Sequence, residues 1–134
     1  SGNIPDYLAE YGNVHVLRSL ARNPVIFQKK VKNTIERLRQ SDDPHVIAAL
    51  IASDVYERSE IIGFIRHDSH IVRSAVAEHA TEGWMLAELR GDTSDEVREM
   101  VARNARTPDI ELLYLEADEN PNVAEAAREN LALR

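Results

Sequence analysis

Five valines set the frame of this chain. Val16, Val46, Val72, Val97 and Val123 follow one another at shifts of 30, 26, 25 and 26 positions. A shift near this size, held through most of a chain, marks stacked helical repeats. Each unit is then one hairpin that buries its apolar side only against a neighbour. The plainest copy lies within Asp92–Glu129. There Val97, Met100, Val101 and Asn104 fall at helical i, i+3, i+4 and i+7 spacing, and Val123, Ala126, Ala127 and Asn130 repeat it.

Further columns grow from these anchors. Three positions before them stand Asn13, Asp43, Ser69, Ser94 and Asn120, all types whose side-chain oxygen accepts an orphan N–H at a helix start. Pro44 and Pro121 follow, where a missing N–H costs nothing. Four positions after the anchors come Leu20, Leu50, Val76, Val101 and Ala127. Three positions after come Ser19, Ala49, Ala75, Met100 and Ala126, mostly small, as close helix packing requires. Counting back from each next anchor gives Leu38, Phe64, Leu89 and Leu115, and one turn earlier Ile35, Ile61, Leu86 and Leu112. Both columns are large and apolar, so each unit has a second amphipathic helix.

The first helices are thus expected near 14–22, 44–52, 70–79, 95–104 and 121–131, and the second near 25–39, 55–66, 82–90 and 108–117. Asn23-Pro24, Ser53-Asp54, Thr81-Glu82 and Thr107-Pro108 mark where the second helices begin. An extra helix around Pro5–Tyr11 would cover the front edge. No strand is expected, because alternating polar and apolar runs are absent. The chain reads as a single all-α domain over residues 1–134, with repeats near 12–40, 41–66, 67–91 and 92–117 and a partial one at 118–134. The partial unit puts Ala126, Ala127, Leu131 and Leu133 at an open end. That end is a cap, a docking point for end-to-end association with another copy or a partner, or a cut through a longer chain.

The net charge of −7 argues against non-specific nucleic-acid binding. The charge is uneven. Residues 1–40 hold seven Lys/Arg against three acidic residues, and the rest nine against twenty, or about +4 against −11. There is no cysteine, hence no disulfide framework and no thiolate metal site, which suits a reducing compartment; a cytoplasmic location is expected. No apolar run approaches the length of a membrane span, so no membrane partner is expected. No leader is visible, and Ser1-Gly2 reads as a cloning remnant that would hide one.

The stretch DEVREMVARNARTPDIELLYLEADENPNV resembles the leucine-rich repeat variant, an α-solenoid relative of HEAT and armadillo repeats. Asp95, Val97, Arg98, Val101, Ala102, Asn104, Thr107, Pro108, Leu112, Leu115 and Asp118 match that pattern. Asp68, Val72, Arg73, Val76, Ala77, Leu86, Leu89 and Asp92 match it in the preceding unit, and Leu20, Ala21, Asn23 and Pro24 keep part of it. The likeness spans residues 12–131 loosely and 68–123 well. It implies a right-handed α-solenoid, or superhelix, of about five two-helix repeats, with second helices lining a concave face. In that family the second element can be a tight 3₁₀-like helix, so the resemblance leaves α or 3₁₀ open for 108–117. One family member carries a cysteine-ligated iron–sulfur cluster; without cysteine that feature does not carry over.

Few residues suggest chemistry. His67, Asp68 and His70, with Asp42, Asp43 and His45 one unit earlier, would suit a carboxylate–imidazole metal site, but such sites need three or four converging ligands, and wet turn residues explain them as well. His79 shares a column with Asn23, Ser53, Asn104 and Asn130, where a polar group is expected to bond the backbone of the turn between helices. Arg73 and Arg98 are expected to pair with an aspartate of a neighbouring turn. No nucleophile–base set, phosphate-cradling loop or metalloprotease motif is present, so neither enzyme activity nor a cofactor or metal is expected.

The expected function is a non-enzymatic scaffold that binds a protein or peptide with a basic patch on the concave face. The candidate contacts are Glu57, Arg58, Trp84, Glu88, Glu111 and Tyr114. Glu111 is read as a polar-face residue whose loss costs under about 0.5 kcal/mol. The alternative is nucleic-acid binding through Lys29, Lys30, Lys32, Arg37 and Arg39, as in HEAT-like DNA-binding proteins; the acidic remainder disfavours it.

Overall fold

The computed structural model describes residues 32–134. Among the described residues there are eight α-helices and no strand. They are α1 (Lys32–Arg39), α2 (Pro44–Ala52), α3 (Arg58–Phe64), α4 (His70–His79), α5 (Gly83–Leu89), α6 (Asp95–Arg103), α7 (Asp109–Leu115) and α8 (Pro121–Ala132). The chain divides into two compact units, Ser1–Glu57 and Arg58–Arg134. The elements expected near 14–22 and Pro5–Tyr11, and the first part of 25–39, lie outside the described residues.

In the first unit α1 packs on α2. Thr34, Leu38, Val46 and Leu50 are fully buried, and Ile35 is half-buried. Asp43 caps α2 by accepting the N–H groups of His45 and Val46 at 2.9 and 3.2 Å, with Pro44 in the first turn. Asp54 ends it. Its φ of 60° places it in the left-handed region, Val55 N–H reaches Leu50 O at 3.3 Å, and Asp54 N–H reaches Ile51 O at 3.1 Å. These are the two bonds of a Schellman stop. Ser53-Asp54 therefore closes α2 rather than opening α3, and α3 begins at Arg58, later than the expected 55. Tyr56, buried, carries the Arg39 guanidinium over its ring at 5.2 Å.

In the second unit the longer helices α4, α6 and α8 pack side by side, α4 on α6 and α6 on α8. Val72, Val76, Val97, Val101, Val123 and Ala127 are fully buried there. The seven-residue α5 and α7 bury Leu86, Leu89, Leu112 and Leu115, whereas Ile61 and Phe64 of α3 are half-buried.

Three kinds of bond recur from one hairpin to the next. Arg73 grips Asp92 with two N–H groups, at 2.9 and 3.1 Å, and donates to His67 O at 2.7 Å. Arg98 repeats this on Asp118, at 2.8 and 3.3 Å, and on Asp92 O at 2.8 Å. The Asn104 amide donates to Ala77 O and Ala80 O at 2.8 and 2.9 Å, and Asn130 to Ala102 O and Asn104 O at 2.8 and 2.9 Å. Third, an acceptor two residues before the helix cap takes the cap's own N–H. Ser41, His67, Asp92 and Asp118 fill that position, at 3.1, 3.0, 2.9 and 2.9 Å. The polar column of Asn104 and Asn130 thus satisfies carbonyls of the preceding hairpin, while Ser53 bonds its own helix at Ala49 O. His79 breaks the column, lying half in solvent beside Glu78.

Some local expectations are corrected. The choice between α and 3₁₀ left open for 108–117 falls to an α-helix over Asp109–Leu115, closed by Leu112 N–H to Pro108 O and Glu116 N–H to Leu112 O at 3.2 and 2.9 Å. Thr107 does not cap it; its hydroxyl donates back to Val101 O at 2.6 Å. Ser94 caps α6 without a side-chain bond. Ala126 and Ala127 are not at an open end but buried, since α8 packs on α6 and α7. The outward face of α8 is polar, with Asn122, Glu125, Arg128 and Glu129 exposed. Leu133 does stand in solvent.

Candidate docking face

Side-chain contacts link the short helices α3, α5 and α7 in sequence order. At one end Arg58 holds Glu82 through two bonds of 2.6 and 2.8 Å. At the other, Arg66 lies 3.6 Å from Glu88. Between α5 and α7, a Cβ on Gly83 would stand 3.0 Å from the Pro108 ring, so the helix starts touch. The glycine is what lets them approach so closely. Beyond the end of α5, Arg90 donates to Glu111 at 2.9 Å and lies 3.9 Å over the Tyr114 ring.

This pairing leaves four large apolar side chains outside. Trp84 on α5 is 44% exposed, and Ile110, Leu113 and Tyr114 on α7 are 69%, 57% and 53% exposed. Ile110, Leu113 and Tyr114 fall at i, i+3 and i+4, a second apolar stripe opposite the buried Leu112 and Leu115, and the exposed Ala117 follows in the turn beyond α7. Trp84 and Ile110 lie 26 positions apart and follow the touching Gly83 and Pro108 closely in sequence, so they share one end of the face. The Trp84 indole donates to Glu82 at 3.0 Å. Hydrogen bonds from Arg58 first, and then from Trp84, hold the Glu82 carboxyl below the usual glutamate range. The same pair raises Arg58. On the inner side, the Asp118 bond raises Arg98 despite partial burial.

Two shallow concavities follow the repeat. One of about 500 Å³ is lined by Arg90, Leu113, Tyr114, Ala117 and Glu119 among others. Its counterpart one hairpin earlier, about 350 Å³, is lined by Arg66, His67, Glu88 and Leu89 among others. The later one carries an exposed aliphatic and an aromatic side chain where the earlier one carries a carboxylate.

Of the expected contacts, Arg58, Trp84, Glu88 and Tyr114 lie on this face with outward surface. Glu57 is exposed at the end of the first unit. Glu111 is corrected: it is only 8% exposed, because Arg90 reaches in from the neighbouring hairpin to bond it. Glu111→Ala therefore costs about 1.5–3 kcal/mol rather than under about 0.5, as for a hydrogen bond to a charged group; urea denaturation measures the difference. Ile110 and Leu113 escaped the sequence reading, although their spacing with Tyr114 was visible.

Lys29 and Lys30, and the side chain of Lys32, lie outside the described residues. Arg37 and Arg39 are half-buried, Arg39 against Tyr56. His67 spends its Nδ1 on Ser69 N–H, and His70 faces Glu96 at 3.1 Å. Among the described residues no three His, Cys, Asp or Glu side chains come together as a metal site. Among the described residues no helix is long and apolar enough to cross a membrane. Comparison with protein-family models, with curated proteins and with solved structures finds no match to this chain.

Proposed function

We infer that this chain is a non-enzymatic α-solenoid scaffold whose second-helix face docks a protein or peptide. The observation that carries the reading is the group of exposed apolar side chains on adjoining helices, Trp84 on α5 with Ile110, Leu113 and Tyr114 on α7. Water meets these side chains at a cost of roughly 25 cal/mol per Å² of apolar surface, and a contiguous exposed patch on a folded domain marks an interaction site. Tryptophan, tyrosine and arginine are the residue types that most often anchor interfaces. The solenoid reading draws on the arginine–aspartate and asparagine–carbonyl bonds that recur from one hairpin to the next, and on the resemblance to leucine-rich repeat variants.

The test is comparative capture from the source cell with the wild-type chain and an Ile110→Ser/Leu113→Ser variant. Both positions are exposed, so the two proteins should share one denaturation midpoint. A partner held by wild type and lost from the variant is the expected result. Equal retention of every captured protein by both would remove the reading.

A further inference from the structure

The charge around the docking face narrows what it accepts. The unit Arg58–Arg134 holds sixteen Asp/Glu against nine Arg and no Lys, a balance of −7. Six of those arginines are already tied to carboxylates at 2.6–2.9 Å: Arg58, Arg73, Arg90, Arg98, Arg103 and Arg134. The surplus is therefore carboxylate, and part of it borders the apolar stripe. Glu116 and the exposed Glu119 follow α7 and carry no ion pair among the described residues. Glu88 on α5 has Arg66 only at 3.6 Å. The stripe itself runs Ile110, Leu113, Tyr114 on α7, the helical spacing that a second helix matches along its own seam, with Ala117 in the turn just beyond.

We propose that the occupant of this face is a cationic amphipathic helix of another protein. Its aliphatic side chains cover Leu113, Tyr114 and Ile110, and its lysines or arginines meet Glu88, Glu116 and Glu119. This rests on the reading of that face as a docking surface. A second copy of the chain is the poorer fit, because two such units meet with like charge. Arg90 does not oppose a cation there, since its charge is held by Glu111 and its plane lies on Tyr114.

The chain contains a single tryptophan, Trp84, so its fluorescence reports on this face alone. The full chain is titrated with tryptophan-free synthetic peptides of about five helical turns. One is a Leu/Lys peptide with leucine along one side. The second has the same composition scrambled so that leucine lines no side, and the third is the Leu/Glu counterpart of the first. The amphipathic Leu/Lys peptide should bind at least about tenfold tighter than the other two. Ile110→Ser/Leu113→Ser should weaken it by about tenfold or more, as loss of central anchors does. Glu116→Gln/Glu119→Gln should weaken it about three- to tenfold and flatten its salt dependence, since exposed ion pairs are individually weak.

The failures are separable. Binding indifferent to Ile110→Ser/Leu113→Ser overturns the docking face itself. Binding lost in that variant but equal for the Leu/Lys and Leu/Glu peptides keeps the face and overturns the cationic occupant. Equal binding of the scrambled peptide overturns the helical one. Sedimentation that shows the free chain dimerising, and Ile110→Ser/Leu113→Ser restoring the monomer, gives the face to a second copy instead.

Discussion

The two rows of helices in the second unit spend their apolar residues differently. The longer helices α4, α6 and α8 turn Val72, Val97 and Val123 fully inward and lock to one another through arginine–aspartate and asparagine–carbonyl bonds. The short helices α5 and α7 bury two leucines each and keep large apolar side chains in water. The first row holds the unit together. The second is attached to it by one stripe and leaves the other in solvent. The same residue type therefore means different things one position apart: Leu112 is fully buried and Leu113 is 57% exposed.

Among the polar bonds, the buried ion pairs of the first row should cost most to break. Arg98→Ala leaves Asp118, whose side chain is only 7% exposed, without its cation, and should destabilise by roughly 3 kcal/mol. Arg103→Ala removes the exposed pair with Glu99 and should cost under about 0.5 kcal/mol. Chemical denaturation of the two variants gives the contrast. Asn104→Ala comes next. It strips a donor from the carbonyls of Ala77 and Ala80, and should lower stability by about 1–3 kcal/mol on the same assay, with Asn130→Ala alike.

The smallest effect belongs to the second row and sharpens its exposed character. The Glu82 carboxyl is held below the ordinary glutamate range by Arg58 and Trp84. A depressed value means that the link to Arg58 is present above that range and lost as pH falls through the lowered one. The indole N–H resonance of Trp84 should therefore move at a lower pH than a free glutamate titrates, and Arg58→Ala should shift that midpoint upward. A midpoint unchanged by the substitution would contradict the link between the starts of α3 and α5.

The sequence columns located α4, α6 and α8 to within about a residue, because long helices with caps and a steady period carry redundant signals. The second helices were less legible. Thr107 and Asp54 look like residues that start helices, yet one bonds backward to Val101 and the other takes a left-handed stop. IELLYL in α7 holds two apolar stripes, and periodicity read for one stripe assigns both to the core or hides the other. The burial of Glu111 depends on Arg90, an interaction between residues 21 positions apart that no local pattern contains.

The most direct test of this division is the pair Leu112→Ala and Leu113→Ala, made separately and unfolded in urea. Leu112→Ala should lose about 2–5 kcal/mol, the cost of a cavity in a closed core. Leu113→Ala should stay within about 0.5 kcal/mol of wild type. Equal losses for the two would contradict the separation of a buried, holding stripe from a solvent-exposed one.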